Sequence, residues 1–313
     1  MKLFYLLTVM AICVACNVAP DEETPAGTDF YADGESLVLN KHSKGNGIPV
    51  VIIGDGFNHE DLRHGGNWEQ VVTFVNNIFS QLEVFKDFKE YFDVYAYMAE
   101  SQDRSVAAGS NTKFGTNGSL SNINFALAKT LIGKMPQIDD ITKVSVMFIC
   151  NGNIGGIGTA ILEDDGYGYA VYSSSEPNAK YWCAHEFGGH VFGWVIDEIG
   201  GSGTITAASV DKLNHYQALG KYLNVAQTND PDKAPWKHFL GVPGYDKVGL
   251  FEGGYYYDKG IWRSENTSIM VNQNYPHYNA QSRYLIYSRI KTLAGEPFTF
   301  EDFLDYDTKN LFQ

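Results

Sequence analysis

The sequence predicts an α/β fold: a mostly parallel, twisted sheet with helices packed against it. Three observations predict it. Strand-like and helix-like segments alternate through the first half of the chain, the order expected of a parallel sheet. One segment, Val144 to Cys150, is apolar almost without a break, as a strand covered on both faces must be. The chain has 313 residues, 44% hydrophobic and 19% charged, so it can bury a substantial core.

The elements follow in order. Ile48-Pro49-Val50-Val51-Ile52-Ile53 reads as a short buried strand ending in the turn Gly54-Asp55-Gly56. Trp68 to Phe85 carries Val71, Val72, Phe74, Val75, Ile78 and Phe79 at helical spacing. Tyr91 to Met98 is rich in strand formers, with Phe92, Val94, Tyr95 and Tyr97. Leu120 to Met135 reads as a helix, Val144 to Cys150 and Gly168 to Ser173 as strands, and Ala179 to Gly193 as the next helix. Beyond it the pattern loosens. Ala207 to Leu219 and Ser282 to Leu293 are helical, Phe300 to Leu304 starts a last helix, and Trp236 to Arg263 is rich in Gly, Tyr and Trp with little periodicity. No linker is evident after residue 35, so 36–313 reads as one domain with a subdomain split near residue 195 and an irregular C-terminal part.

The amino terminus reads as an address. Lys2 precedes an apolar run from Phe4 to Val14 that is too short to span a bilayer and fits a secretory signal peptide, residues 1–15. Ala15-Cys16 resembles the cleavage box of bacterial lipoproteins, although Cys13 stands where that box usually has Leu. The expectation is lipidation at Cys16, a flexible tether over 16–35, and an exported protein anchored to the outer membrane or cell surface. An ordinary signal peptide and a secreted or periplasmic protein is the alternative. Cys150 and Cys183 either form one disulfide or stay as buried thiols. Lys and Arg total 23 against 37 Asp and Glu, a net charge of −14, which disfavours nucleic acid as a partner.

The chemistry is concentrated in Cys183-Ala184-His185-Glu186-Phe187-Gly188-Gly189-His190-Val191-Phe192-Gly193-Trp194-Val195-Ile196-Asp197-Glu198. It resembles the zincin helix, His-Glu-x-x-His, in which two His bind zinc and the Glu acts as general base. Here the two His are five residues apart, giving His-Glu-x-x-x-His. In an α-helix four residues rotate by about 40° net, but five rotate by about 140°, which points the rings apart. A π-bulge restores the alignment, and Gly188-Gly189 is where one is sterically easiest. The prediction is specific: a regular α-helix here would separate the two imidazoles beyond chelating distance.

A zinc site needs a third ligand and an open position. In the metzincin pattern that ligand follows a Gly; Gly193 fits, but the expected position holds Ile196. Asp197 is therefore the first candidate, with Glu198 second and His277 third. Failing that, Asp197 orients a ligating His. The same pattern expects a Met in a tight turn beneath the metal, which Met270 in Ser268-Ile269-Met270 matches.

The ordered set of segments resembles the IgA-peptidase family of zinc metallopeptidases. The segments are Val51 to Phe57, Phe85 to Met98, His185 to Glu198, Glu252-Gly253-Gly254 with Tyr256, Trp262-Arg263, Ser268-Ile269-Met270 and Tyr278 to Arg283. Gln281 and Ile199 depart from that family's Pro and Tyr. The resemblance implies a metzincin-like peptidase fold, Zn²⁺ on His185, His190 and Asp197, Glu186 as general base, and a polypeptide substrate. Tyr275, Tyr278 and Arg283 are candidate donors to the oxyanion. The glycine-rich stretch Asn151 to Gly158 is a candidate edge for a substrate strand, with a flexible surface loop as the alternative. A monomer is expected. The rival class is an inactive surface protein that binds peptide or glycan, supported by the unusual His spacing and opposed by the retention of Glu186. A hydrolase of non-peptide amides shares the same metal site.

Overall fold

Strand β2 (Ile48–Asp55) sits in the middle of the sheet because both of its faces are apolar. Val50 and Ile52 enter one core, and Val51 and Ile53 enter the other. The computed structural model describes residues 29–310 apart from 155–157, 176, 177 and 273. Signal peptide, Cys16 and most of the tether lie outside the described residues. The described end of that tether is docked: Tyr31 is buried, and its amide donates to the Leu62 carbonyl at 3.0 Å.

The sheet has six strands in the order β1-β3-β2-β4-β6-β5. β3 (Phe92–Tyr97), β2, β4 (Ser145–Cys150) and β6 (Gly168–Ser173) are parallel; β1 (Ser36–Asn40) and β5 (Thr159–Leu162) close the edges antiparallel. α2 (Phe125–Ile132) covers one face and packs its Ala128 and Ile132 there. On the other face lie α1 (Asn67–Phe79), the helix running from Ala179 to Phe192, and α5 (Ala280–Ala294). The predicted α/β architecture is present, with a mostly parallel sheet between helices.

Differences from the expected elements are local. α1 stops at Phe79 rather than Phe85, because Ser80 caps it and the apolar Leu82, Val84 and Phe85 are buried by a turn instead. The expected helix over 120–135 is shortened to α2, since Asn124 caps it through the Leu127 amide at 3.0 Å. The C-terminal half builds a three-stranded sheet, β7-β9-β8 (Val225–Ala226, Tyr257–Arg263, Phe251–Gly254), beside α4 (Ala207–Ala218). α5 and α6 (Phe300–Asn310) return to the main core.

Asp55 terminates β2 as a buried clamp. Its carboxylate accepts from the amides of Gly56, Phe114 and Thr116 and from the hydroxyls of Ser101 and Thr112, all within 3.1 Å. Cys150 and Cys183 are both free and buried. Among the described residues no helix is long and apolar enough to cross a membrane.

Candidate metal centre

The helix that follows β6 begins as α3 (Ala179–Trp182) and continues from Cys183 to Phe192 in π geometry. The Gly193 amide donates to the Gly188 carbonyl at 2.9 Å, five residues back. In such a ladder residue i+5 takes the place that i+4 has in an α-helix. His185 and His190 consequently share a face, and their Nε2 atoms are 3.2 Å apart. The expected bulge is thus a ten-residue π segment. Gly189 makes room for it: a Cβ there would lie 2.7 Å from the Met270 sulfur. A Cβ on Gly188 would collide with the Tyr278 hydroxyl.

Beyond the helix the chain reverses through Trp194, which adopts a φ of +54°. Val195 then offers its carbonyl to His190 Nδ1 at 2.7 Å. Asp197 arrives opposite the histidines, with Oδ1 3.2 Å from His185 Nε2 and Oδ2 3.5 Å from His190 Nε2. The three side chains are buried and form a group with the composition and spacing to hold a metal ion.

The hydrogen bonds around the histidines make the case chemically. His185 Nδ1 lies 3.1 Å from the Ile269 carbonyl and His190 Nδ1 lies 2.7 Å from that of Val195. A carbonyl only accepts, so each Nδ1 carries a proton, and in a neutral ring each Nε2 presents a lone pair. Two lone pairs and a carboxylate facing one another at this distance are a donor set that can hold a cation between them. A tetrahedral ion with bonds of about 2.0–2.1 Å sets its ligand atoms about 3.3–3.4 Å apart, close to the observed 3.2, 3.2 and 3.5 Å. Without a metal, a proton does that work. Burial lowers His190, but the Asp197 carboxylate outweighs it and raises the imidazole to about 9. Burial acts against the Asp197 charge too, and the two histidines overcome it and hold the carboxyl far below the usual range.

Glu186 projects into the same cleft, a space of about 720 Å³ also lined by Gly158, Thr159, Trp182 and Tyr256. It is buried, makes no hydrogen bond among the described residues, and is raised above the usual carboxyl range by burial, against the pull of both histidines. Gly158 leaves it room; a Cβ there would come 3.1 Å from Glu186 Cγ.

The remaining candidates have other duties. Glu198 is turned away from the histidines: its carboxylate accepts from the Ser268 hydroxyl at 2.6 Å, the Asn279 amide at 2.7 and 2.8 Å and the Asn224 amide at 3.1 Å. Burial pushes Glu198 up to about 7, against these donors. It is a brace, not a ligand, and its own amide donates to the Met270 carbonyl at 3.0 Å. Met270 is fully buried with its sulfur against Gly189, beneath the helix. His277 is exposed and faces Glu83 at 3.5 Å, outside the metal group. Tyr278 donates to the Ala184 carbonyl, Arg283 pairs with Asp307 at 2.7 Å, and Tyr275 lies outside the residues that line the cleft. Tyr278 and Arg283 spend their polar ends on the active helix and α6, away from the site.

Sequence reasoning missed Tyr256 as a site residue. It sits in the two-residue turn between β8 and β9, where Tyr255 and Tyr256 have φ of +50° and +66°. Such a turn normally carries Asn or Gly. The Tyr255 and Tyr256 amides grip the carbonyls of Asp197 and Ile199 at 2.9 and 2.8 Å, and the Tyr256 hydroxyl donates to Asp197 Oδ2. Two bulky residues in left-handed conformations give no periodic signal; Tyr256 stood in the sequence only within a segment of resemblance, with no role attached, and its strain at the cleft is the structural mark. Compared with known proteins, the chain matches no family model and no curated protein.

Proposed function

We propose that the protein is a zinc-dependent endopeptidase with a metzincin-like fold, exported and lipid-anchored through Cys16, that hydrolyses extracellular polypeptides as a member of the IgA-peptidase family. The observation that carries the reading is the buried pair of Nε2 atoms at 3.2 Å facing Asp197, with Glu186 in the same cleft. Two nitrogens and one carboxylate leave a fourth position open, the arrangement of catalytic rather than structural zinc. Bound there, zinc would polarise a scissile carbonyl and acidify the attacking water.

The chain's own residues supply the rest. Glu186 lines the cleft and makes no hydrogen bond among the described residues, so its carboxylate is placed to take a proton from the attacking water and return it to the leaving amine. The Tyr256 hydroxyl lies on Asp197 at the lip of the cleft, from which it reaches the developing oxyanion. β5 lines the same cleft and, among the described residues, pairs with β6 alone, so its other edge is the place for a substrate backbone to add. The glycine-rich stretch expected to serve as that edge includes 155–157, which lie outside the described residues.

The test is digestion of casein by wild type and Glu186→Gln, each with its metal content measured. The proposal expects cleavage by the wild type, a loss of at least about a hundredfold in the variant, and equal metal in both. Equal cleavage by the two proteins refutes Glu186 as the base.

A further inference from the structure

A second cavity, of about 380 Å³, adjoins the metal cleft. Tyr181 is the shared wall; it lines both spaces, and its hydroxyl lies 3.3 Å from His185 Nδ1. Ile269, whose carbonyl accepts from the same Nδ1, continues that wall. The two spaces are therefore neighbours across Tyr181.

The far wall is the segment after α1. Val84 adopts a φ of +71°, a conformation that a β-branched residue takes only when its surroundings impose it. The turn buries Leu82 and Val84 and directs Glu83 toward the Tyr278 amide, which donates to Oε2 at 2.8 Å. Oε1 lies 3.5 Å from His277 Nδ1, and the side chain is 27% exposed. Burial pushes the Glu83 carboxyl up, against the influence of Arg283, the Tyr278 amide and His277.

The other charges at this cavity are committed or lie at its mouth. Arg283 grips Asp307 with two bonds of 2.7 and 2.9 Å and donates to the Tyr278 carbonyl at 2.6 Å. Lys86, Asp87 and Lys180 are exposed. Glu83 makes no hydrogen bond to a lysine or arginine among the described residues. An apolar occupant would strip water from that carboxylate without replacing it, which is costly, and an acidic one would meet it with like charge. A cation on an aliphatic stem satisfies both halves of the lining.

We propose that this cavity is a substrate subsite for a lysine or arginine side chain adjacent to the scissile bond, with the stem against Tyr181, Leu82, Val84 and Ile269 and the cation on Glu83. The inference rests on the peptidase reading for its place in catalysis, and its test separates the two. Saturation-transfer NMR is run with N-acetyl-arginine amide and N-acetyl-leucine amide on the full chain and on Glu83→Gln, which keeps an acceptor for the Tyr278 amide. The arginine probe should bind at least about tenfold more tightly than the leucine probe, and the variant should lose that preference. In parallel, cut sites in denatured casein should carry Lys or Arg at one fixed position beside the cleaved bond for the wild type, and much less so for Glu83→Gln. Equal binding of the two probes, or an unchanged preference in the variant, overturns the subsite. A protein that shows the arginine preference and cleaves nothing overturns the peptidase reading and leaves the cation-binding pocket standing.

Discussion

Glu198 separates a brace from a ligand most cleanly. Its side chain is fully buried and accepts from Ser268, Asn279 and Asn224, each itself buried. Truncation in Glu198→Ala strands those donors without a partner. Each orphaned buried donor costs about 1–3 kcal/mol, for a total of roughly 3–6 kcal/mol once water enters the vacated space. That is a large share of the 5–15 kcal/mol typical of a folded domain. At roughly 2–4 °C per kcal/mol, the midpoint of thermal unfolding should fall by about 6–24 °C. Glu198→Gln keeps one acceptor oxygen and should cost less than half as much. The assay is urea and thermal unfolding by circular dichroism, with metal content measured at 4 °C where both variants stay folded. The expected outcome is a destabilised protein that still binds one metal ion. Loss of metal with unchanged unfolding would show that Glu198 is a ligand and that its assignment as a brace is wrong.

Three further outcomes follow from the same geometry. Gly189→Ala gains helix propensity of up to about 1 kcal/mol but drives a methyl group into the Met270 sulfur, so a net loss of about 1–2 kcal/mol is expected by urea unfolding, relieved by Met270→Ala in the double variant. Tyr256→Phe removes the donor on Asp197, and should lower kcat by about tenfold or more with KM and metal content little changed; a drop in metal content alone would make Tyr256 a positioning residue for Asp197. Burial works against the Asp93 charge, but the His42 amide and ring and the Lys41 ammonium prevail and lower its pKa below the ordinary 3.8. A depressed carboxyl stabilises the fold above its unfolded pKa and loses that contribution as pH falls through its folded one, so Asp93→Asn should cost stability at pH 6 and progressively less below about pH 4, read by urea unfolding at both.

How much of this was legible depended on which force shaped each element. β2 and β4 were readable because burial on both faces demands uninterrupted apolar runs. The edge strands β1 and β5 were not, since each has one partner and half-buried residues that carry no clean alternation. Apolar spacing overran the end of α1, because Leu82, Val84 and Phe85 are buried by a strained turn that a helical pattern does not distinguish from another turn of helix. The five-residue His spacing was readable as a demand on backbone geometry, and two adjacent glycines marked where the chain could meet it. Asp197 followed from its place just beyond Gly193 and from the affinity of a carboxylate for zinc. Tyr275, Tyr278 and Arg283 were chosen for their place after Met270, and position in sequence does not say which way a polar group points. Tyr256 comes from a hairpin sixty residues beyond the helix by tertiary packing, roughly the distance at which local signals carry nothing.

Metal content tests the central claim most directly. The wild-type chain, His190→Ala and Asp197→Ala are purified without chelator or metal-affinity tag, supplied with zinc and dialysed, and assayed by plasma mass spectrometry beside circular dichroism. The account predicts one zinc per wild-type chain and none in either variant, with the fold retained in all three. A wild type that takes up no metal, or a His190→Ala protein that keeps it, would mean that the π segment does not bring the two imidazoles together to serve a metal ion.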